Sequence, residues 1–145
     1  MTITRNHPKQ QFIFLLRNDP TPKLIDALKR GIASVAARRS WTIQEPSYFE
    51  DEVSGASPSA TMHGGSFEVY SALPPWGAKL PLETDRAHYQ EVEEVVSELC
   101  RLSRDFGMSF QLQLDGTVVG GVRDGSMDRM LDQGLMQPWK QALRI

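Results

Sequence analysis

The sequence predicts an α+β domain, and three observations predict it. Residues 89–106 carry Tyr89, Val92, Val96, Leu99, Ser103 and Phe106 at three- and four-residue steps, with Val95 and Leu102 widening the stripe, which is the spacing that lines one face of a helix. Immediately after Gly107 the period changes to two, with Met108, Phe110, Leu112 and Leu114 alternating with Ser109, Gln111 and Gln113. Asp115-Gly116 then offers the pair that accepts positive φ at both turn positions, so residues 117–123 are expected to return antiparallel.

The other elements follow in chain order. Residues 1–9 are polar and expected to be loose. Residues 12–16 form a continuous apolar run, expected as a central strand buried on both faces. Thr21 is a suitable N-cap and Pro22 a suitable first helical residue for a helix with Leu24, Ile25, Leu28, Ile32 and Val35 inward and Lys23, Lys29 and Arg30 outward. Ser40, Trp41, Thr42 and Ile43 read as a second strand stopped by Pro46. Residues 50–66 combine Glu50, Asp51 and Glu52 with a Ser/Gly/Pro-rich run and Gly64-Gly65, the composition of a mobile surface loop. Residues 67–73 read as a third strand broken by Pro74-Pro75-Trp76-Gly77. Near the long helix, Thr84 or Asp85 is a suitable cap, and Gly107 is suited to a left-handed stop. After the hairpin, Ser126 is expected to cap a short helix with Met127, Met130 and Leu131 inward, interrupted by Gly134 and Pro138. Trp139, Ala142 and Leu143 then close over the core.

The expected order is βαββαββα, with a mixed or antiparallel sheet of about five strands covered by helices mainly on one face. Its first six elements match the split βαβ order of ferredoxin-like folds. At 145 residues the chain has the length of a single domain, residues 1–145. Cys100 is the sole cysteine, so an internal disulfide is excluded and a small packed side chain is expected. Neither a signal-like apolar segment nor a membrane span is visible in the pattern, which points to a cytoplasmic protein.

The net charge of −2 conceals an uneven distribution. Residues 1–40 carry eight Lys/Arg against two Asp/Glu, and residues 41–100 carry eleven acids against two bases. The basic half is expected to be neutralised on folding. Lys29, Arg30, Arg38 and Arg39 are the residues that would track phosphates. The overall acidity and the lack of an aromatic-basic signature argue against nucleic-acid binding.

No catalytic or metal-binding pattern is assembled in the sequence. His7, His63 and His88 lack ligand spacing, and His88 with Glu91 one turn on supplies only two of the three or four ligands zinc requires, so no metal or other cofactor is expected. His88 is expected as a solvated or capping side chain. Cys100 has no activating neighbour, no Gly-x-Ser-x-Gly elbow occurs, and Gly120-Gly121 is expected to bend a strand rather than cradle phosphate. Glu91, Glu94 and Glu98, at three- and four-residue steps, are expected on one polar helix face. With Asp51, Glu52 and Glu68 they would form an acidic patch able to plug a basic cleft. Trp76, and Tyr48-Phe49 beside the acids, are candidate aromatic anchors for a protein interface.

Pro74-Pro75-Trp76-Gly77, Asp85-Arg86-Ala87-His88-Tyr89, and Leu114-Asp115-Gly116 through Asp128-Arg129-Met130-Leu131 together resemble small bacterial toxin-immunity proteins. The resemblance spans roughly the second half of the chain and transfers no functional residue. It implies a non-enzymatic cytoplasmic protein that binds a cognate effector toxin, such as one delivered by a type VI or contact-dependent system, and blocks its active site or cofactor access. The partner-binding residues expected from charge and exposure are Glu91, Glu94, Glu98, Asp51, Glu52 and Trp76. The alternatives are a small enzyme assembled around His88, Glu91 and the His63 segment, and an adaptor or chaperone for a secreted effector, which would present an apolar groove.

Overall fold

The computed structural model describes residues 9–53, 60–70 and 80–144. Strand β1 (Gln10–Leu16) leads to helix α1 (Pro22–Ala36), then to the antiparallel pair β2 (Ser47–Val53) and β3 (Ala60–Val69). Helix α2 (Leu82–Phe106) precedes β4 (Phe110–Leu114), β5 (Thr117–Arg123) and the two-residue β6 (Ser126–Met127). The chain closes with α3 (Arg129–Leu131), a π-helical turn at Asp132–Met136, and α4 (Gln137–Leu143).

The sheet has six antiparallel strands in the order β2-β3-β1-β4-β5-β6. Because β3 lies antiparallel between β1 and β2, those two run in the same direction. The first six elements therefore have the expected split βαβ arrangement, extended by β5 and β6. One face is packed by helices. Phe12, Phe14, Phe67, Val69, Phe110, Leu112, Leu114 and Val122 from the sheet meet Leu28, Ile32 and Val35 of α1 and Val92, Val95, Val96, Leu99 and Leu102 of α2.

Local signals were obeyed where they were strongest. Thr21 Oγ1 accepts from the Leu24 amide at 3.2 Å, Gly107 ends α2 at φ +71°, and Asp115 and Gly116 both take positive φ. The register of β4 on β5 shifts between Leu112 and Gln113, the irregularity expected near Gly120-Gly121. A Cβ on Gly120 would lie 2.4 Å from Leu131, so this bend also lets the C-terminal segment approach the sheet.

Several expectations are corrected. Ser40, Trp41, Thr42 and Ile43 do not form a strand: the Trp41 indole donates to the Ala36 carbonyl at 2.9 Å, and the Thr42 amide donates to the Glu91 carboxylate at 3.0 Å. Its backbone donor is thus taken by a side chain, and pairing begins only after Pro46. Residues 50–53 and 60–66, read as loop, are paired strand. Gly65 is there because a Cβ would strike the Phe14 ring at 2.3 Å, so it marks close packing of β3 on the core. Residues 54–59 and 71–79, which include the rest of the expected loop and the end of the expected third strand, lie outside the described residues, as do residues 1–8.

Central β1 is buried on one face only. Phe12 and Phe14 are enclosed while Ile13 and Leu15 stay partly accessible on the other face. Helix α2 starts after Pro81 with no side-chain cap, because Asp85 turns inward, and Phe106 is exposed at its end. Ser126 belongs to β6, and Asp128 caps the last helical segment by accepting from the Leu131 amide at 2.8 Å. Met130 is exposed, and Gly134 and Pro138 sit within a helical run that continues through the π turn.

Leu112 is fully enclosed at the centre of the core. Leu112→Ala is expected to destabilise the fold by about 2–5 kcal/mol in chemical denaturation. A change of a few tenths of a kcal/mol would contradict the β4 register.

Candidate partner-binding surface

The carboxylates of α2 do not form one solvated row. Glu91 is 1% exposed and Glu98 3% exposed, and both face into the fold, which corrects their expected place on a partner surface. Glu91 Oε2 accepts from the amide and the hydroxyl of Thr42. Glu98 Oε1 accepts from Arg38 Nη2 at 2.9 Å, and Arg101 donates to the same carboxylate from one turn on. Glu94 remains partly accessible and lies 3.6 Å from Arg39. Of the arginines that would track phosphates, Arg38 and Arg39 are paired with acids of α2, and Arg30 with Asp26 of α1, in line with the expected neutralisation of the basic half.

His88 is also corrected, from a solvated or capping position to complete burial. Its Nε2 accepts the Tyr70 amide at 3.1 Å. That bond leaves the proton of a neutral ring on Nδ1, which faces Glu91 Oε1 at 3.5 Å, an ion-pair distance without hydrogen-bond geometry. Burial alone would raise the Glu91 pKa, but the imidazole and the two Thr42 donors outweigh it and hold the carboxyl below its ordinary range. Asp85 behaves oppositely. Its desolvation outweighs the Trp139 indole, which donates to Oδ1 at 2.8 Å, and the nearby His88, so its pKa is raised.

His63 does not join His88 and Glu91. It sits on β3 with Tyr48 and Glu50 of β2, at the edge of a groove against the start of α1. Tyr70, which contacts His88, is seven residues farther on, roughly 20 Å by the rise of a strand. No group of three or more His, Cys, Asp or Glu side chains among the described residues is arranged to hold a metal ion.

The open face of the sheet brings together residues that the sequence had scattered. Ile13 and Leu15 of β1, Phe49 and Asp51 of β2, Met62 and Ser66 of β3, and Gln11 and Gln113 of the flanking positions line a shallow depression of about 350 Å³. Phe49 stands opposite Gly64 and Asp51 opposite Met62 in the ladder, and Glu68, opposite Gln11, continues the same face. Met62 is 38% exposed. Asp51 and Phe49 thus occupy an accessible surface, as expected, whereas Trp76 and the side chain of Glu52 lie outside the described residues. The sequence signal for this face is the unbroken apolar run through Ile13 and Leu15, whose expected burial on both faces the structure corrects to burial on one.

A second concavity of about 790 Å³ separates α2 from the C-terminal helices. Val96, Cys100, Met127 and Met136 contribute apolar surface, and Glu93, Arg104, Asp132 and Lys140 contribute charge. Burial raises the Cys100 thiol pKa, opposite to what an activated nucleophile needs. Among the described residues, no helix is long and apolar enough to cross a membrane. Comparisons with protein-family models, curated proteins and solved structures find no match to this chain.

The raised Asp85 pKa means that its ionised form is disfavoured in the fold, a cost present above the folded pKa and relieved as pH falls toward the unfolded value. Asp85→Asn keeps an oxygen for the Trp139 indole and removes this charge. The variant is expected to be at least as stable as the native protein at pH 7, with its relative advantage shrinking as pH falls through the raised pKa. Thermal unfolding across pH 3–7 checks this, and a variant strongly destabilised at pH 7 would contradict it.

Proposed function

We propose that this protein acts by binding another protein through the open face of its sheet, as a cytoplasmic immunity protein that neutralises a cognate bacterial effector toxin. The observation that carries the reading is the partly accessible apolar strip across three adjacent strands, Phe49, Met62, Ile13 and Leu15, on the face opposite the helices. An aromatic, a methionine and aliphatic side chains surrounded by glutamine and serine have the character of an interface core with a polar rim. Asp51 within the strip and Glu68 beyond it favour a partner with a basic surface. Stoichiometric occlusion of a basic active-site cleft needs only this complementarity, which also accelerates encounter.

The buried state of His88 and Glu91 supports binding over catalysis, because their polar atoms are directed at Tyr70, Thr42 and one another. An effector adaptor is the second reading, favoured by the groove between α2 and the C-terminal helices with its methionine-containing wall.

The two surfaces can be separated experimentally. With the partner that copurifies with the tagged protein from its native cells, Phe49→Arg combined with Met62→Arg is expected to weaken the complex at least 100-fold in calorimetry while preserving the unfolding midpoint. Glu94→Lys is expected to change affinity less than threefold. Full affinity in the folded double variant would overturn the open-face assignment, and loss of binding only on substitution of Met136 would favour the adaptor reading.

A further inference from the structure

A groove of about 440 Å³ lies between the start of α1 and the β2–β3 pair, away from the open sheet face. Pro20, Thr21, Pro22 and Ile25 contribute its wall, and its charged and titratable side chains are Asp26 and Lys29 of α1, Glu50 of β2 and His63 of β3. Tyr48 joins this cluster through its hydroxyl, which lies 2.8 Å from Glu50 Oε1 and 2.7 Å from His63 Nδ1. The Lys29 ammonium stands 5.0 Å from the centre of the Tyr48 ring.

The hydrogen-bond chemistry orders these protons. A carboxylate only accepts, so the single phenolic proton of Tyr48 is directed to Glu50, and the phenol oxygen accepts from His63 Nδ1–H. Burial and the adjacent Glu50 raise the Tyr48 pKa, which keeps that proton in place. His63 is therefore held with Nδ1 as donor, 3.7 Å from Glu50 Oε1 as well, and among the described residues its Nε2 makes no hydrogen bond. Both acids of the groove already have partners: Glu50 accepts from Tyr48, and Asp26 is paired with Arg30 at 2.9 Å. Lys29, by contrast, makes no ion pair among the described residues.

We propose that this groove binds an oxyanion, a carboxylate or a sulfate- or phosphate-like group, between Lys29 Nζ and the Nε2–H of protonated His63. The site takes up a proton as it fills. Neutral His63 presents a lone pair at Nε2 and repels an anion, whereas the imidazolium presents a donor there while Nδ1–H stays bonded to Tyr48. Because filling needs the imidazolium form of His63, occupancy rises as pH falls. Of the facing groups, Lys29 favours the anion, Glu50 and Asp26 oppose it, and their existing partners reduce that opposition. The inference is independent of the protein-binding face, because its residues are separate from Phe49, Met62, Ile13 and Leu15.

The test is an NMR titration of the full chain with sodium sulfate and, separately, with N-acetyl-glutamate amide, at constant ionic strength and at pH 6 and pH 8. Saturable shifts at His63 and Lys29, at least tenfold tighter at pH 6, are expected for one of the probes. A response to sulfate alone identifies a tetrahedral oxyanion, and a response to the glutamate derivative alone identifies a carboxylate of peptide origin. His63→Gln is expected to abolish the pH dependence, and Lys29→Met to weaken binding at both pH values, with the unfolding midpoint of each variant confirming the fold. Non-saturating shifts for both probes, equal affinity at the two pH values, or pH dependence that survives in His63→Gln would overturn the proposal.

Discussion

The rest of the structure depends on the inward-facing polar side chains of α2. Along one 25-residue helix, Asp85 holds the Trp139 indole of α4, His88 holds the amide that follows β3, and Glu91 holds Thr42 in the connection before β2. Farther along, Glu98 holds Arg38 just past α1, and the Ser103 hydroxyl accepts the Gly125 amide in the turn between β5 and β6. Three of these bonds, at Thr42, Tyr70 and Gly125, take up a backbone amide that lies outside the helices and strands. The apolar stripe of α2 supplies most of the burial, but it is non-directional. The polar contacts fix where each connection lies, and for a buried carboxylate their removal would leave an uncompensated charge.

This arrangement explains which parts of the fold were legible in sequence. Helix α1, helix α2 and the β4–β5 turn announce themselves through local spacing and through Thr21, Gly107 and Asp115-Gly116, whose conformational demands act within a few residues. The β2–β3 pair was obscured because its glycines answer to a distant contact, the Phe14 ring against Gly65, and because acids crowd an edge strand whose ladder has only one neighbour. The site was less legible than the fold. Glu91 and Glu98 are seven residues apart, and each has an apolar residue, Val95 or Leu102, four positions on, so they flank the buried stripe. Glu94 is rotated away from them. That spacing was available in the sequence, but the partners that make burial tolerable, Thr42 and Arg38, are 49 and 60 residues away.

Placing the helices on one side of the sheet divides the protein into an internally committed face and an open one. On the helical side, the histidine and carboxylates that resembled the start of a catalytic set are consumed by the fold. On the open side, alternation carries Ile13 and Leu15 outward next to Phe49 and Met62. A two-layer fold leaves such a face accessible as a consequence of its architecture. Its apolar content is the basis of the recognition role proposed for it, and the acids placed along it would favour a basic partner.

The most direct test of the clamping role of α2 is amide hydrogen exchange at Thr42, Tyr70 and Gly125 in the native protein. These amides lie outside the helices and strands, and each donates to a side chain of α2. The structure predicts strong protection at all three, lost at Thr42 when Glu91 is replaced by Ala in a chain that remains folded. Exchange at the rate of unstructured peptide at these positions would contradict it.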